Sequence, residues 1–207
     1  MIETEFGTKV IDGIEYNEHP SPSSVIKATE SRWAYKLRDH GEIRLNSIKF
    51  YQSVENAELG DTNEGNGMLR MNGHPMESGS INEVFIWCSA LYSTPHATLK
   101  SFNIDYDTVI QITDTVEFAK RIIKAAKDKC YDLTPQLGKI QYNRGDEVTK
   151  EVLNEQKWHA NVFQKDSRYS HQQEYRFAFS NFTFNEIGFD HLDLVLGDCS
   201  DIIKILT

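Results

Sequence analysis

The chain of 207 residues has an ordinary globular composition, with 39% hydrophobic and 26% charged residues, and its formal net charge is −9 at pH 7. This length fits one domain that can bury a core without metal ions or disulfide bonds. The negative balance argues against a broad phosphate-binding surface, and so against non-specific nucleic-acid binding, but it leaves room for a small basic pocket.

The lack of a recognisable targeting signal and the pattern of cysteines predict a cytoplasmic protein with no membrane partner. No segment approaches the ~18 apolar residues of a membrane span, and residues 1–8 lack the apolar core of a signal peptide. Cys88, Cys130 and Cys199 are far apart and odd in number, which predicts buried free thiols in a reducing compartment. A catalytic cysteine is the less favoured alternative.

The predicted domain organisation is an N-terminal arm over residues 1–30 and a single α+β domain over residues 31–207. Within the arm, residues 9–16 are predicted to form a short strand. Residues 17–24 read NEHPSPSS, and this stretch is rich in turn formers and poor in apolar side chains.

The first half of the predicted domain contains strands and one long loop. Apolar and basic side chains alternate over residues 31–38, which predicts a strand. Alternation over residues 43–51 predicts one bulged strand or two short ones. The glycine-containing acidic stretch over 53–80 is predicted to be a loop, either functional or merely solvated. The apolar run NEVFIWCSALYS over 82–93 predicts a central strand.

The second half contains the clearest helical pattern. After a strand over residues 106–113, Asp114 and Glu117 form a capping box, and apolar residues follow at helical spacing. The remaining predicted elements are a strand over 138–143, a helix over 146–163, a long strand over 172–184, and short strands over 192–196 and 202–206. Many strands with few helices predict an α+β fold of mixed, mainly antiparallel twisted sheets with two or three helices.

The late strand carries the most informative chemistry. Because side chains alternate along a strand, Gln172, Glu174 and Arg176 are predicted to share one face, while Tyr175 and Phe177 face the core. One interpretation is a solvated face with ordinary ion pairs. The other is the floor of a cleft, where the carboxylate stabilises developing positive charge or accepts a hydrogen bond from a sugar.

Gln172 and Glu174 form a Gln-x-Glu motif that resembles the signature of the ADP-ribosyltransferase fold. The resemblance implies that NAD is the substrate. It also implies that Glu174 hydrogen-bonds the 2′-hydroxyl of the nicotinamide ribose and stabilises an oxocarbenium-like transition state as nicotinamide leaves.

A second resemblance spans residues 31–205. The chain is similar to a bacterial and phage domain-of-unknown-function family numbered 2971. The segments that carry this similarity are, in order, YKLR at 35–38, IRL at 43–45, FY at 50–51, GDTNE at 60–64, CS at 88–89, Lys165, and QEYR at 173–176. At residues 61–64 the chain reads Asp-Thr-Asn-Glu, where the family has an asparagine-aspartate-proline-aromatic signature, and this departure leaves the function of the loop undefined.

The two resemblances together imply a set of site residues. The expected catalytic residues are Glu174 and Gln172, and the expected NAD contacts are Tyr35, Lys36, Arg38, Tyr51, Ser89 and Arg176. Arg38 would bind a phosphate or ribose, since a guanidinium suits bidentate contact. Ser89 would orient the ribose or the residue on the first strand, and Tyr51 would stack on nicotinamide. The alternatives are a surface position for Arg38, a backbone-bonded hydroxyl for Ser89, and a core position for Tyr51.

The predicted function is an ADP-ribosyltransferase-like domain that binds NAD or a related nucleotide. It would act as a toxin or defence protein in phage–bacterium conflict, through transfer to a protein target or through NAD hydrolysis. The alternative is a non-enzymatic inhibitor or nucleotide-sequestering protein on the same fold. The seven histidines show no zinc-ligand spacing, and no phosphate-binding GxxxxGK[ST] loop or GxSxG elbow occurs. No metal site is predicted.

Overall fold

The computed structural model describes residues 2–3, 9–16, 21–54, 56, 58, 60–79, 83–147, 162–181 and 188–206. Its helices are α1 (Ser31–His40), α2 (Ile48–Ser53), α3 (His96–Lys100), α4 (Thr115–Asp128) and a 3-10 helix over Ser167–Gln172. Its strands are β1 (Ile2–Glu3), β2 (Lys9–Ile11), β3 (Ile14–Tyr16), β4 (Val25–Thr29), β5 (Glu42–Ser47), β6 (Asn66–Met71), β7 (His74–Gly79), β8 (Glu83–Leu91), β9 (Thr108–Ile112), β10 (Leu133–Lys139), β11 (Glu174–Asn181), β12 (His191–Val195) and β13 (Ile203–Leu206).

One large sheet organises these elements. Nine of its eleven strands run in the order β1-β2-β3-β10-β11-β8-β4-β9-β13, β5 joins β8 to β12, and β6 and β7 form a separate hairpin. Only β3 and β10 pair in parallel among the described strands. This arrangement confirms a mixed, mainly antiparallel α+β fold, although four α-helices and a 3-10 helix exceed the two or three helices predicted. None of the helices in the described ranges is long and apolar enough to cross a bilayer.

β11 lies at the centre of the sheet, between β10 and β8, and all eight of its residues are buried. As period-two alternation predicts, Phe177 faces the main core, where its ring centroid lies 5.3 Å from that of Phe118 and 5.6 Å from that of Trp87. Phe118 belongs to α4, whose predicted start is confirmed because the Asp114 carboxylate accepts the Glu117 N–H at 2.9 Å. α4 therefore covers one face of the sheet.

The predicted strand over residues 31–38 is wrong, because these residues form α1. Ala34 and Leu37, three residues apart, are buried, while Trp33 and Tyr35 are 45% and 48% exposed. Gly41 ends the helix in the left-handed conformation, with φ of 69° and its N–H bonded to the Leu37 carbonyl. The apparent alternation comes from aromatic side chains that remain on the surface of the helix.

The predicted arm and the predicted loop over 53–80 also differ from the structure. Val25–Thr29, expected in the arm, forms β4 inside the sheet because its apolar side chains are buried against β8 and β9. Half of the predicted loop over 53–80 is the β6–β7 hairpin, in which Asn72 and Gly73 supply the two positive φ angles of a tight turn.

Most of the other predicted strands are present in the structure. The strands expected over 82–93, 106–113, 192–196 and 202–206 are confirmed as β8, β9, β12 and β13. The stretch over 43–51 is β5 followed by α2, and β10 lies earlier than the predicted strand over 138–143. The helix expected over 146–163 and the end of the strand over 172–184 fall largely outside the described residues.

Candidate functional site

The pairing of β8 is interrupted on the edge opposite β11. Phe85 and Ile86 pair with β5, and Ala90 and Leu91 pair with β4. On this edge, Trp87–Ser89 lie between the two pairings and have no partner among the described strands, although they pair with β11 on the other edge. The sheet therefore opens between β4 and β5, and we call this opening the sheet break.

The Lys27 side chain lies in the sheet break. Its ammonium donates a hydrogen bond to the Cys88 carbonyl at 2.7 Å and lies 4.9 Å from the centroid of the Trp87 ring. Within the described part of the chain, no ion pair joins Lys27 to a carboxylate. Burial lowers the pKa of Lys27 below its ordinary value. A cation without a carboxylate partner is well suited to bind an anion.

A cavity of about 340 Å³ borders the sheet break on the face of the sheet opposite α4. This first cavity has aromatic walls, contributed by Phe50, Tyr51, Trp87, Phe102 and Tyr106. Its polar lining residues include Lys27, Arg44, Asn46, Glu58, Glu64, Ser89, Lys165, Gln172, Glu174 and Arg176. Aromatic walls with a few convergent polar groups are typical of small-molecule sites.

A buried charge cluster forms the floor of the first cavity, and it consists of Glu64, Lys165, Glu174 and Arg176. Arg176 binds Glu64 through two hydrogen bonds of 2.6 and 2.8 Å, and its Nε donates to Glu174 at 2.5 Å. The Lys165 ammonium lies 2.7 Å from the other oxygen of Glu174. Two carboxylates balance two cations, which is the arrangement that buried charges require.

Glu174 is held as an anion by this cluster. Burial alone would raise the pKa of its carboxyl group, but Arg176 and Lys165 outweigh burial and hold that pKa well below its usual range. The donors of Arg176 are occupied by Glu64, Glu174 and the Val162 carbonyl. Arg176 therefore supports Glu174 rather than offering a free guanidinium to a nucleotide.

Gln172 reaches the cavity by a route that strand alternation does not predict. It ends the 3-10 helix, and the left-handed Gln173, with φ of 45°, separates it from the first residue of β11. Its side-chain oxygen accepts a hydrogen bond from Lys165 at 3.1 Å, and its amide nitrogen donates to the Glu58 carbonyl at 2.8 Å. Gln172 and Glu174 thus converge on one ammonium group, although they do not lie on one strand face.

Of the other predicted NAD contacts, Tyr51 and Ser89 line the first cavity. The three predicted contacts on α1, which are Tyr35, Lys36 and Arg38, do not line it. Ser89 donates its hydroxyl to the Tyr175 carbonyl at 2.8 Å, as its alternative interpretation predicts. Arg38 pairs with Asp39 at 2.6 Å and stacks over the exposed Tyr35 ring. The helical path of α1 turns Tyr35 and Arg38 away from the cavity.

Lys36, the third of these residues, lines a second cavity of about 660 Å³ with Trp33, Thr29, Lys129 and other residues. Its ammonium pairs with Glu42 at 2.8 Å. Three residues line both cavities, and these are Lys27, Arg44 and Trp87. The two cavities therefore meet at the sheet break.

The acidic segment over residues 61–64 supports the site through two ion pairs. Asp61 binds Arg144 at 2.6 Å and also accepts the Asn63 N–H at 3.0 Å. Glu64 binds Arg176 at a sequence distance of 112 residues. Both carboxylates are buried, so this part of the predicted loop is anchored to the domain rather than solvated.

Sequence reasoning did not select Lys27, Glu64 or Lys165 as site residues. Lys27 lay in the predicted arm, and Glu64 and Lys165 are joined to Glu174 and Arg176 only by the fold. The available signals were weak, namely a lysine between apolar residues in the segment VIKAT and a glutamate in an acidic loop.

Cys88 also borders the cavity, but its thiol is poorly suited to nucleophilic catalysis. Burial, together with the negative charge of Glu174, raises the pKa of this thiol to about 12. The thiolate is the reactive form of cysteine, and it is scarce at neutral pH under these conditions. Cys199 is buried, whereas Cys130 is exposed, contrary to the prediction that all three thiols are buried.

We expect iodoacetamide at pH 8 to modify Cys130 at least ~100-fold faster than Cys88. The pKa of the Cys88 thiol, about 12, lies far above that pH, so very little Cys88 is present as the reactive thiolate. Peptide mass spectrometry over a time course gives the two rates. Labelling in denaturant, where all three cysteines should react, is the control. Modification of Cys88 as fast as Cys130 in the folded protein would show that Cys88 is an activated thiol.

The described residues contain no group of three or more His, Cys, Asp or Glu side chains placed to hold a metal ion. What these residues can supply is a fixed anion, a nearby cation and aromatic surfaces around one cavity. Comparison of the chain with protein-family models, with curated proteins and with solved structures gives no match.

Proposed function

We propose that the first cavity binds NAD or a related nucleotide and that the protein is an ADP-ribosyltransferase-like domain. The observation that carries the proposal is a buried Glu174, paired with Arg176 and Lys165, that lines an aromatic cavity together with Gln172 and Ser89. Aromatic side chains such as Tyr51 and Phe102 offer stacking surfaces to a nicotinamide or base. A volume of about 340 Å³ lies at the lower end of ligand pockets and suits about one nucleotide unit.

The chemistry follows from the charge of Glu174. The bond between nicotinamide and its ribose breaks, nicotinamide keeps the bonding electron pair, and positive charge develops on the ribose. An anion fixed at the ribose stabilises that charge because it needs no reorganisation during the reaction. A nucleophile then bonds to the ribose carbon and loses its proton, and this nucleophile is water in hydrolysis or a target side chain in transfer.

A second candidate function is non-catalytic sequestration of the nucleotide. It is favoured by the finding that both oxygens of Glu174 already contact cations, Arg176 at 2.5 Å and Lys165 at 2.7 Å. A carboxylate engaged in this way retains fewer free lone pairs for a ribose hydroxyl. The two functions share a cavity and differ in whether bound NAD is consumed.

The Glu174→Gln variant distinguishes these functions. We expect the purified wild type to release nicotinamide from NAD, and the variant to lose at least ~100-fold in turnover while its affinity for NAD changes much less. Chromatography of nicotinamide gives turnover, and calorimetric titration gives affinity. Glu117→Gln on α4, which removes a carboxylate far from the cavity, is the matched control.

The outcomes separate clearly when circular dichroism first shows that each variant is folded at the assay temperature. Binding of NAD without consumption by wild type or variant would support sequestration and refute catalysis. Neither binding nor consumption of NAD by the wild type would overturn the proposed function. If the wild type consumes NAD, mass spectrometry of added proteins distinguishes transfer to a protein target from hydrolysis.

A further inference from the structure

The two cavities lie on opposite faces of β4. Ile26 and Ala28 line the first cavity, Thr29 lines the second, and Lys27 lines both. Since side chains alternate between the faces of a strand, only a residue at an opening can contribute to both cavities. On β4, Lys27 is such a residue, because the sheet break leaves the Cys88 carbonyl facing its ammonium instead of a neighbouring strand.

The surroundings of the sheet break are locally cationic in an acidic protein. The chain carries a formal charge of −9, yet the second cavity is lined by four cations, Lys27, Lys36, Arg44 and Lys129, and by only two carboxylates, Glu42 and Asp193. Arg44 is bound by Asp193 through contacts of 2.8 and 3.0 Å, and Lys36 by Glu42.

Lys27 and Lys129 instead donate to backbone carbonyls, those of Cys88 and Asp193, each at 2.7 Å, and only Lys27 lies in the sheet break. The Cys88 N–H points to the same side as the Cys88 carbonyl, as both groups of a strand residue do in an antiparallel ladder. The sheet break therefore presents a cation and a backbone donor side by side. An ammonium and a backbone N–H are the donors that phosphate groups commonly accept.

We propose that the sheet break is a phosphate subsite, in which Lys27 holds a phosphate of a nucleotide whose base and ribose occupy the first cavity. The second cavity receives the remainder of the ligand beyond that phosphate. The ligand class is therefore a dinucleotide joined by a pyrophosphate. This inference specifies the ligand of the nucleotide site and rests on the function proposed above.

Inorganic pyrophosphate tests the subsite without a nucleotide. We expect pyrophosphate to raise the melting temperature of the wild type, and Lys27→Met to weaken its binding by about 10- to 100-fold, the range of a lost charged hydrogen bond. Lys27→Arg should retain most of the affinity. Lys124→Met, which removes an exposed lysine from α4, is the matched control and should bind as the wild type does.

Adenosine, AMP and NAD test the extent of the ligand. Lys27→Met should weaken the binding of AMP and of NAD by a similar factor and leave the binding of adenosine unchanged. Trp33→Ala, at the second cavity, should weaken the binding of NAD alone. Equal pyrophosphate binding by wild type and Lys27→Met, or no binding by either, would overturn the subsite. Pyrophosphate binding that depends on Lys27, in a protein that binds no nucleotide, would retain the subsite and refute the proposed nucleotide function.

Discussion

The Arg176→Met variant is expected to lose about 3–5 kcal/mol of unfolding free energy, a large part of the ~5–15 kcal/mol typical of a domain. Methionine fills much of the same space but leaves Glu64 without its cation and Glu174 with Lys165 alone. Removing one partner from a buried ion pair strands the other charge away from water. Urea unfolding followed by tryptophan fluorescence measures the loss.

Arg44→Met is the matched control for this experiment. It removes an arginine from a bidentate pair with Asp193, but both side chains are more than half exposed, so the expected loss is at most ~1 kcal/mol. Similar losses in the two variants would contradict a special role for the buried cluster. Both variants remove a guanidinium that binds a carboxylate through two hydrogen bonds, but Arg176 also binds Glu174 and the Val162 carbonyl, so the comparison sets the whole buried cluster against one exposed pair.

The difference in unfolding free energy between the wild type and Arg176→Met should become smaller as the pH is lowered. In the wild type, the lowered pKa of Glu174 contributes stability above its unfolded pKa of ~4.3, and this contribution is lost as the pH falls through the folded value. The variant lacks the part of this contribution that Arg176 supplies. The unfolding free energies of the two proteins should therefore converge below about pH 4, and a constant difference would contradict this assignment.

The Phe177→Ala variant is expected to lose about 3–5 kcal/mol through the cavity that it creates. The ring of Phe177 is fully buried, and it packs edge-on against Trp87, Phe118 and Tyr175 at centroid distances of 5.3–5.6 Å. These contacts join α4 to the sheet at its centre. Urea unfolding again gives the change.

Phe189→Ala provides the control for Phe177→Ala, because Phe189 is 59% exposed and its truncation should cost no more than ~0.5 kcal/mol. Since Trp87 lines both cavities, Phe177→Ala should also weaken pyrophosphate binding even under conditions where the variant is folded. A loss of stability below ~1 kcal/mol would mean that the core collapses around the missing ring.

Sequence patterns predicted the elements whose own residues determine their conformation. The capping box of α4 and the apolar run of β8 are local signals, and both elements are confirmed. α1 was mistaken for a strand because its surface aromatics imitate period-two alternation, while its buried stripe is only Ala34 and Leu37. The β6–β7 hairpin carried a usable signal that was overlooked, the Asn72–Gly73 dipeptide.

The candidate site was predictable only in part. Strand alternation correctly placed Glu174 and Arg176 on the face opposite Phe177. It could not supply Glu64 or Lys165, because their contacts depend on how distant segments fold together. Strand alternation also could not predict the left-handed conformation of Gln173, since a positive φ at a non-glycine residue is set by its surroundings.

The buried charge cluster also constrains how this sequence can evolve. Each of its four charges balances another, and Glu64 lies 112 residues from Arg176, so the loss of one charge leaves an intermediate that is poorly folded. A lineage can abandon the cluster only by replacing several distant codons together or by first gaining stability elsewhere. A glutamate at position 174 would thus persist under selection for folding alone, and its persistence would not by itself reveal selection for catalysis.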